Sequence, residues 1–279
     1  MNLFRPFLTL KPRTHFLSSC SRAFSSGTSQ TQETPSIAGT APPYRCYVFL
    51  HSSVSPSAFP AKLMTPFQRA LQAKLLQWGG FVNWVSYMDE RSGVDPTQQQ
   101  HHMEDGQQQQ HYSATAFTMF GERVDIPSLS IRNIDEINED LKKRVESNSG
   151  ASFVSKPDET HLFVCTHMAR DCRCGETGGE FVKALREEVH RRASFEPEGP
   201  YGRFRIGEVA HVGQHQYAAN LLVYPQGDWL GLLTAQDVPK TLDWIIGASM
   251  NKHVSVPGEH WRGRMGLSKS EQLDIINSQ

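Results

Sequence analysis

No stretch of this 279-residue chain approaches the roughly 18 uninterrupted apolar residues that a membrane-spanning helix requires, so no membrane span is expected. Acidic residues are missing altogether before Glu33, while Arg5, Lys11, Arg13 and Arg22 and many serines fall in the same stretch. That segment also lacks a continuous apolar block of the kind a secretory signal carries, which argues against secretion and for a mitochondrial presequence. Loss of the segment near Phe24 leaves 24 basic against 29 acidic residues, a net charge of −5. With no excess of positive charge, nucleic acid is excluded as the expected partner. Cysteine is sparse, at five residues, yet Cys165, Cys172 and Cys174 lie within ten positions of one another. In a reducing compartment, with the matrix favoured over the intermembrane space, such clustering points to metal binding or redox chemistry more than to a structural disulfide.

What is present is enough for a core. The hydrophobic fraction is 38%, and 21 glycines bring the apolar share near the globular average. The length fits about two domains of ordinary size. Residues 1–43 read as presequence and linker. Residues 44–50 (YRCYVFL) are strand-like, and Thr65-Pro66 opens a helix whose apolar stripe, Phe67, Ala70, Leu71, Leu75 and Trp78, is stopped by Gly79-Gly80. A strand over 81–87, a short strand over 115–119 and a charged helix over 134–145 complete a smaller α/β domain, 44–150. It is interrupted by a Gln/His-rich insertion at 91–113, a polar low-complexity segment that reads as a solvated loop carrying His101, His102 and His111. Cys46 and His51 read as core and turn residues.

In residues 151–250 the order is clearer. A strand at 161–166 delivers Cys165; Gly178-Gly179 leads into a helix running through Arg192; a strand at 203–212 ends at His211. Two short strands flank Pro225-Gln226-Gly227-Asp228, and Asp237 precedes a last helix. Strand, helix, strand, hairpin, helix is the order of a thioredoxin-like domain. The remaining residues, 251–279, form a basic C-terminal extension with Lys252, Arg262, Arg264 and Lys269, in which Ser268 to Glu271 is a capping box for a short helix. Such a face could dock an acidic partner.

The chemistry concentrates in CTHMARDCRCG and HVGQH. Cys165 and Cys174 with His211 and His215 offer two soft thiolates and two imidazoles, four donors sufficient for one zinc ion or one two-iron cluster. Both pairs sit where a strand runs into a polar loop. Structural zinc sites space their cysteines by two to four residues, whereas eight separate Cys165 from Cys174; Cys172 and Cys174 with the histidines would be an irregular substitute. Cys165-Thr166-His167 imitates the first half of a Rieske motif, but no Cys-x-x-His follows at the required interval. Two other readings stay open: a cluster-free thiol oxidoreductase using Cys172 and Cys174 or Cys165, and a zinc-stabilised interaction module.

At 47–52, 165–175, 211–233 and 260–268 the chain resembles the thioredoxin-like ferredoxins of the sucrase/ferredoxin-like group. The resemblance implies an α/β fold with a C-terminal thioredoxin-like ferredoxin domain. It also implies a 2Fe-2S cluster held by Cys165 and Cys174 on one iron and His211 and His215 on the other. A one-electron carrier with unknown redox protein partners follows from it, more readily than an enzyme. Neutral imidazoles in place of two thiolates would lift the potential toward that of Rieske centres, roughly −150 to +300 mV against about −400 mV for plant-type ferredoxins. The chain departs from the family pattern by placing Cys172 close to Cys174, and by carrying Gln214 and Ala219 where glycine is usual. Arg170 and Asp171 are candidates to hold the cysteine loop or to donate to cluster sulfur. Glycoside hydrolysis, which the group's name evokes, needs two carboxylates across a sugar site. Asp171, Glu176 and Glu208 form no such pair that the sequence reveals.

Overall fold

A computed structural model describes residues 36–87, 102–104, 107–109, 111–147, 159–250 and 254–279. The first strand, β1 (Cys46–His51), leads through a loop to α1 (Pro66–Leu75), where the Thr65 side chain accepts from Gln68 N–H and Pro66 takes the first helical position. Strand β2 (Gly80–Ser86) then lies parallel to β1, Cys46 opposite Gly80. Two segments of the Gln/His-rich insertion, β3 (His102–Glu104) and β4 (Gln107–Gln109), pair with each other as a separate hairpin; His101 lies outside the described residues. Strands β5 (Tyr112–Thr118) and β6 (Arg123–Leu129) form an antiparallel pair, and α2 (Ile134–Glu146) follows.

The order then repeats. Strand β7 (Thr160–Cys165), helix α3 (Cys172–Phe195) and strand β8 (Phe204–Val209) form a second parallel β-α-β unit. The antiparallel strands β9 (Leu221–Tyr224) and β10 (Asp228–Leu230) and helix α4 (Val238–Met250) complete it. The sheet runs β11-β10-β9-β7-β8-β2-β1-β5-β6, where β11 (Trp261–Arg264) is an edge strand and α5 (Lys269–Asn277) follows it. The orders β2-β1-β5-β6 and β8-β7-β9-β10 are therefore the same arrangement used twice. They meet through a short antiparallel contact, Val85 with Val209 and Ser86 with Glu208.

Alternation along the strands makes three apolar layers. Val48 and Leu50 face Phe67, Leu71 and Leu75 of α1 and Leu141 of α2. Leu162 and Val164 face Phe181 and Leu185 of α3 and Leu242 of α4. The intervening residues, Tyr47 and Phe49 of β1 and Phe163 of β7, share a third layer with Phe117, Tyr224 and Trp229. In it the Phe49 and Phe163 rings lie 4.6 Å apart and Phe117 stacks on Tyr224 at 4.4 Å. The two half-sheets thus pack face to face, helices outward, with one aromatic layer between them.

Three sequence expectations change. Residues 36–43 are packed rather than a free linker: Ile37, Ala38 and Ala41 are buried, and Thr40 N–H donates to Arg262 O. Helix α3 begins at Cys172, six residues before the Gly178-Gly179 pair, because Asp171 caps it. Within the basic C-terminal segment, Arg262 is 1% exposed and adds nothing to an outward basic face, while the partly exposed Arg264 is paired with the buried Asp228. Among the described residues no helix is long and apolar enough to cross a membrane.

Candidate metal centre

Cys165 is the last residue of β7, on the face turned to the aromatic layer. The chain leaves β7 through a six-residue loop and enters α3, whose first turn carries Cys172 and Cys174. Strand β8 is the parallel neighbour of β7, with Cys165 opposite Val209, so His211 emerges two residues beyond at the same sheet end. Ligand sites of open α/β sheets lie outside the carboxyl ends of parallel strands for this reason. A short turn, His215–Tyr217, brings the second imidazole back over the first, ring centres 5.9 Å apart and planes inclined by 30°.

Donor atoms of Cys165, Cys174 and His211 all fall within 4.8 Å of one another. The Cys174 Sγ to His211 Nδ1 distance is 3.7 Å. Both cysteines are fully buried free thiols. Cys165 is held well below an ordinary thiol, chiefly by a hydrogen bond from Cys174 and then by His211 and the backbone N–H groups of Val212 and His167; burial opposes them. The Cys174 thiol is pushed up because it is the proton donor of that pair. A sulfur anion in a dry pocket with converging imidazole nitrogen is what a soft metal centre requires, and the donor set fits one.

His215 is half-exposed, and its Nδ1 lies 3.3 Å from Asp171 Oδ2. Asp171 also receives the Arg173 backbone N–H at 3.0 Å as the cap of α3 and accepts two bonds from the Arg173 guanidinium. Its carboxyl sits below the usual range, first because of Arg173 and in part because of His215. Asp171 therefore joins the cysteine helix to the histidine loop. Arg170 is exposed beside it, and Cys172 is half-buried in the first turn of α3, outside the compact donor group. Glu208 is occupied by Arg186, Thr166 and Ser55, at 3.0, 2.9 and 2.6 Å.

Two further residues reach the site although the sequence did not place them in it. His167 Nε2 donates to Pro60 O at 3.0 Å, which leaves Nδ1 to accept the His211 backbone N–H at 3.3 Å. Burial first of all lowers its pKa, in keeping with a neutral ring. Arg262 reaches the histidine loop through Gln214, as described below. His167 was noted only for its place in Cys165-Thr166-His167, and Arg262 only as one cation of the basic C-terminal segment. Cys46 is buried in the first half, where burial raises its thiol, and His51 lies between the Ser113 and Thr115 hydroxyls at 3.0 Å each. His111 touches Ser128.

A profile of the family described as Sucrase/ferredoxin-like matches residues 37–263. The chain belongs to the sucrase/ferredoxin-like family. Relatives of this sucrase/ferredoxin-like protein include Actin patches distal protein 1 of Saccharomyces cerevisiae, 25% identical over 40% of this chain and 37% of that protein. Altered inheritance of mitochondria protein 32 of Eremothecium gossypii is 31% identical over 34% of this chain and 31% of that protein. The matched segments thus span about a third of the length of these curated relatives. Among solved structures, a thioredoxin-like 2Fe-2S ferredoxin from Aquifex aeolicus aligns at 18% identity with a TM-score of 0.29, covering 39% of this chain and 98% of that one.

Proposed function

We propose that this sucrase/ferredoxin-like protein is a mitochondrial one-electron carrier whose 2Fe-2S cluster is held by Cys165, Cys174, His211 and His215. The observation that carries the reading is the convergence of two buried sulfurs and the His211 nitrogen within 4.8 Å, with His215 stacked beside His211. When bound, the cluster supplies a centre that accepts and returns one electron, at a potential raised by its two neutral ligands. The chain's own residues do the rest. Cys165 and Cys174 carry the negative charge, held by backbone N–H groups and excluded from water by the aromatic layer. His167 fixes the start of the histidine loop, and Asp171 orients His215 from the cap of α3. In this reading residues 151–250 are the ferredoxin unit and 44–150 its structural partner. The acid-free, arginine-bearing start of the chain and the names of the relatives support mitochondrial residence, with the matrix as the expected compartment.

Anaerobic purification with iron and sulfide analysis is the test. Two irons and two sulfides per chain, visible absorbance and a reduced-state EPR signal of low average g are expected, all lost in Cys165→Ser. Replacing His211 by Cys should keep the colour and lower the potential. One zinc per chain and no colour would favour the interaction module instead, and colourless reactive thiols the oxidoreductase.

A further inference from the structure

Arg262 is the most deeply buried cation among the described residues, 1% exposed, and no carboxylate lies within ion-pair distance of it there. All its acceptors are neutral oxygens. Nη1 donates to Asn220 Oδ1 at 2.6 Å, Nη2 to Gln214 Oε1 at 2.5 Å and to Thr40 O at 3.1 Å, and Nε to Thr40 Oγ1 at 3.2 Å. The guanidinium carbon lies 5.1 Å from the ring centre of Tyr217 and 5.3 Å from that of Trp229. Two of these partners belong to the candidate centre. Gln214 stands directly before His215, in the left-handed region at φ 52°, and the Asn220 carbonyl accepts the Cys165 backbone N–H at 3.1 Å. One side chain therefore bridges the histidine loop and the backbone partner of the cysteine strand.

A buried charge without an opposite partner is costly, so its neutral acceptors alone do not balance it. Burial pushes the Arg262 pKa down to about 10, opposed first by Tyr217 and then by Cys165. Asn220, which takes the guanidinium on its side chain and the Cys165 N–H on its backbone, sets this charge next to the strand that carries the sulfur.

We propose that Arg262 is the site's fixed countercation, a positioning residue that clamps the His211–His215 loop through Gln214 and offsets the negative charge of Cys165 and Cys174. The inference rests on the electron-carrier reading, and it predicts that the chain's potential depends on a charge that touches none of the four donors.

The full-length protein, loaded anaerobically, is titrated with dithionite and mediators, which add one electron per chain by reducing one ferric ion to ferrous. Arg262→Gln is expected to lower the equilibrium constant for reduction about tenfold, close to 59 mV for one electron. Arg262→Lys should return most of that loss. Asn220→Asp, which keeps the guanidinium in place but neutralises it with a carboxylate, guards against a folding failure in Arg262→Gln and should lower the potential similarly. Coloured variants with the wild-type potential overturn the proposal. A wild-type chain without iron and sulfide overturns the electron-carrier reading separately. The countercation role is then decided by the reaction of the metal-free thiols with a small alkyl thiosulfonate: about tenfold slower at neutral pH in Asn220→Asp supports it, and an unchanged rate overturns it.

Discussion

At the level of single residues, Asp171 does two jobs that its sequence neighbours only hinted at. Its Oδ1 accepts the Arg173 N–H at the start of α3, and its Oδ2 approaches His215 Nδ1. An N-cap carboxylate contributes about 1 kcal/mol, and asparagine caps nearly as well. Asp171→Ala should therefore lower the stability of the metal-free protein by about 1 kcal/mol in urea titrations, with Asp171→Asn within a few tenths of wild type. Equal losses in both would remove the cap from the account. Gln214 shows the same economy. A left-handed backbone costs a non-glycine residue roughly 1–2 kcal/mol, and here its side chain meets Arg262, giving a physical use for a glutamine at a left-handed position.

Among the elements, α3 departs furthest from its sequence pattern. Gly175, Gly178 and Gly179 in one helix argue for a later start, since each glycine weakens a helix interior. The packing supplies the reason for two of them: a Cβ on Gly175 would meet the Met168 side chain, and one on Gly178 would fall on the Cys165 carbonyl oxygen, so only glycine at 178 lets α3 approach the end of β7. Gly179 has nothing within 4 Å of its would-be Cβ. Alanine at 179 should be neutral or stabilise by up to about 1 kcal/mol. Alanine at 178 should destabilise by about 1–3 kcal/mol through overpacking. Thermal denaturation of the two variants checks the pair, and similar shifts in both would refute the close-approach argument. Strand β11 escaped notice for a related reason. Four residues, WRGR, with two arginines and a glycine, carry no period-2 apolar signal, and their place is set by Asp228, Thr40 and Asn220, far away in sequence.

For the whole molecule, the aromatic layer makes the two halves depend on each other. It also buries titratable groups at its polar end. Burial, chiefly, lowers the His161 pKa to about 3, with Arg123 adding to it; burial likewise brings His51 to about 4, opposed by Asp125. Both rings are neutral in the folded state and take up protons near 6.5 when unfolded, so the unfolded chain binds more protons below that pH. Their stability is fully present above about 6.5 and declines as pH falls toward 4 and then 3, by on the order of 8 kcal/mol in all. Urea midpoints measured between pH 7.5 and 4 should fall accordingly. His161→Gln should flatten the slope, and a pH-independent midpoint would contradict it.

Much of this was readable from order and periodicity. The Thr65 and Ser268 caps, the α1 stripe and the strand-helix-strand-hairpin-helix sequence around Cys165 are local, because a cap or a 3.6-residue stripe is written within a few neighbouring positions. The two cysteines and His211 could be paired as donors from their residue types and their place at strand ends. What no local pattern encodes is which loops meet. The early start of α3, the packing of 36–43 against β11, the facing of the two half-sheets and the burial of Arg262 among Thr40, Gln214 and Asn220 all join residues distant along the chain. Such contacts depend on the sheet order, and the free energy of an arginine at a given position changes sign between water and a dry aromatic pocket.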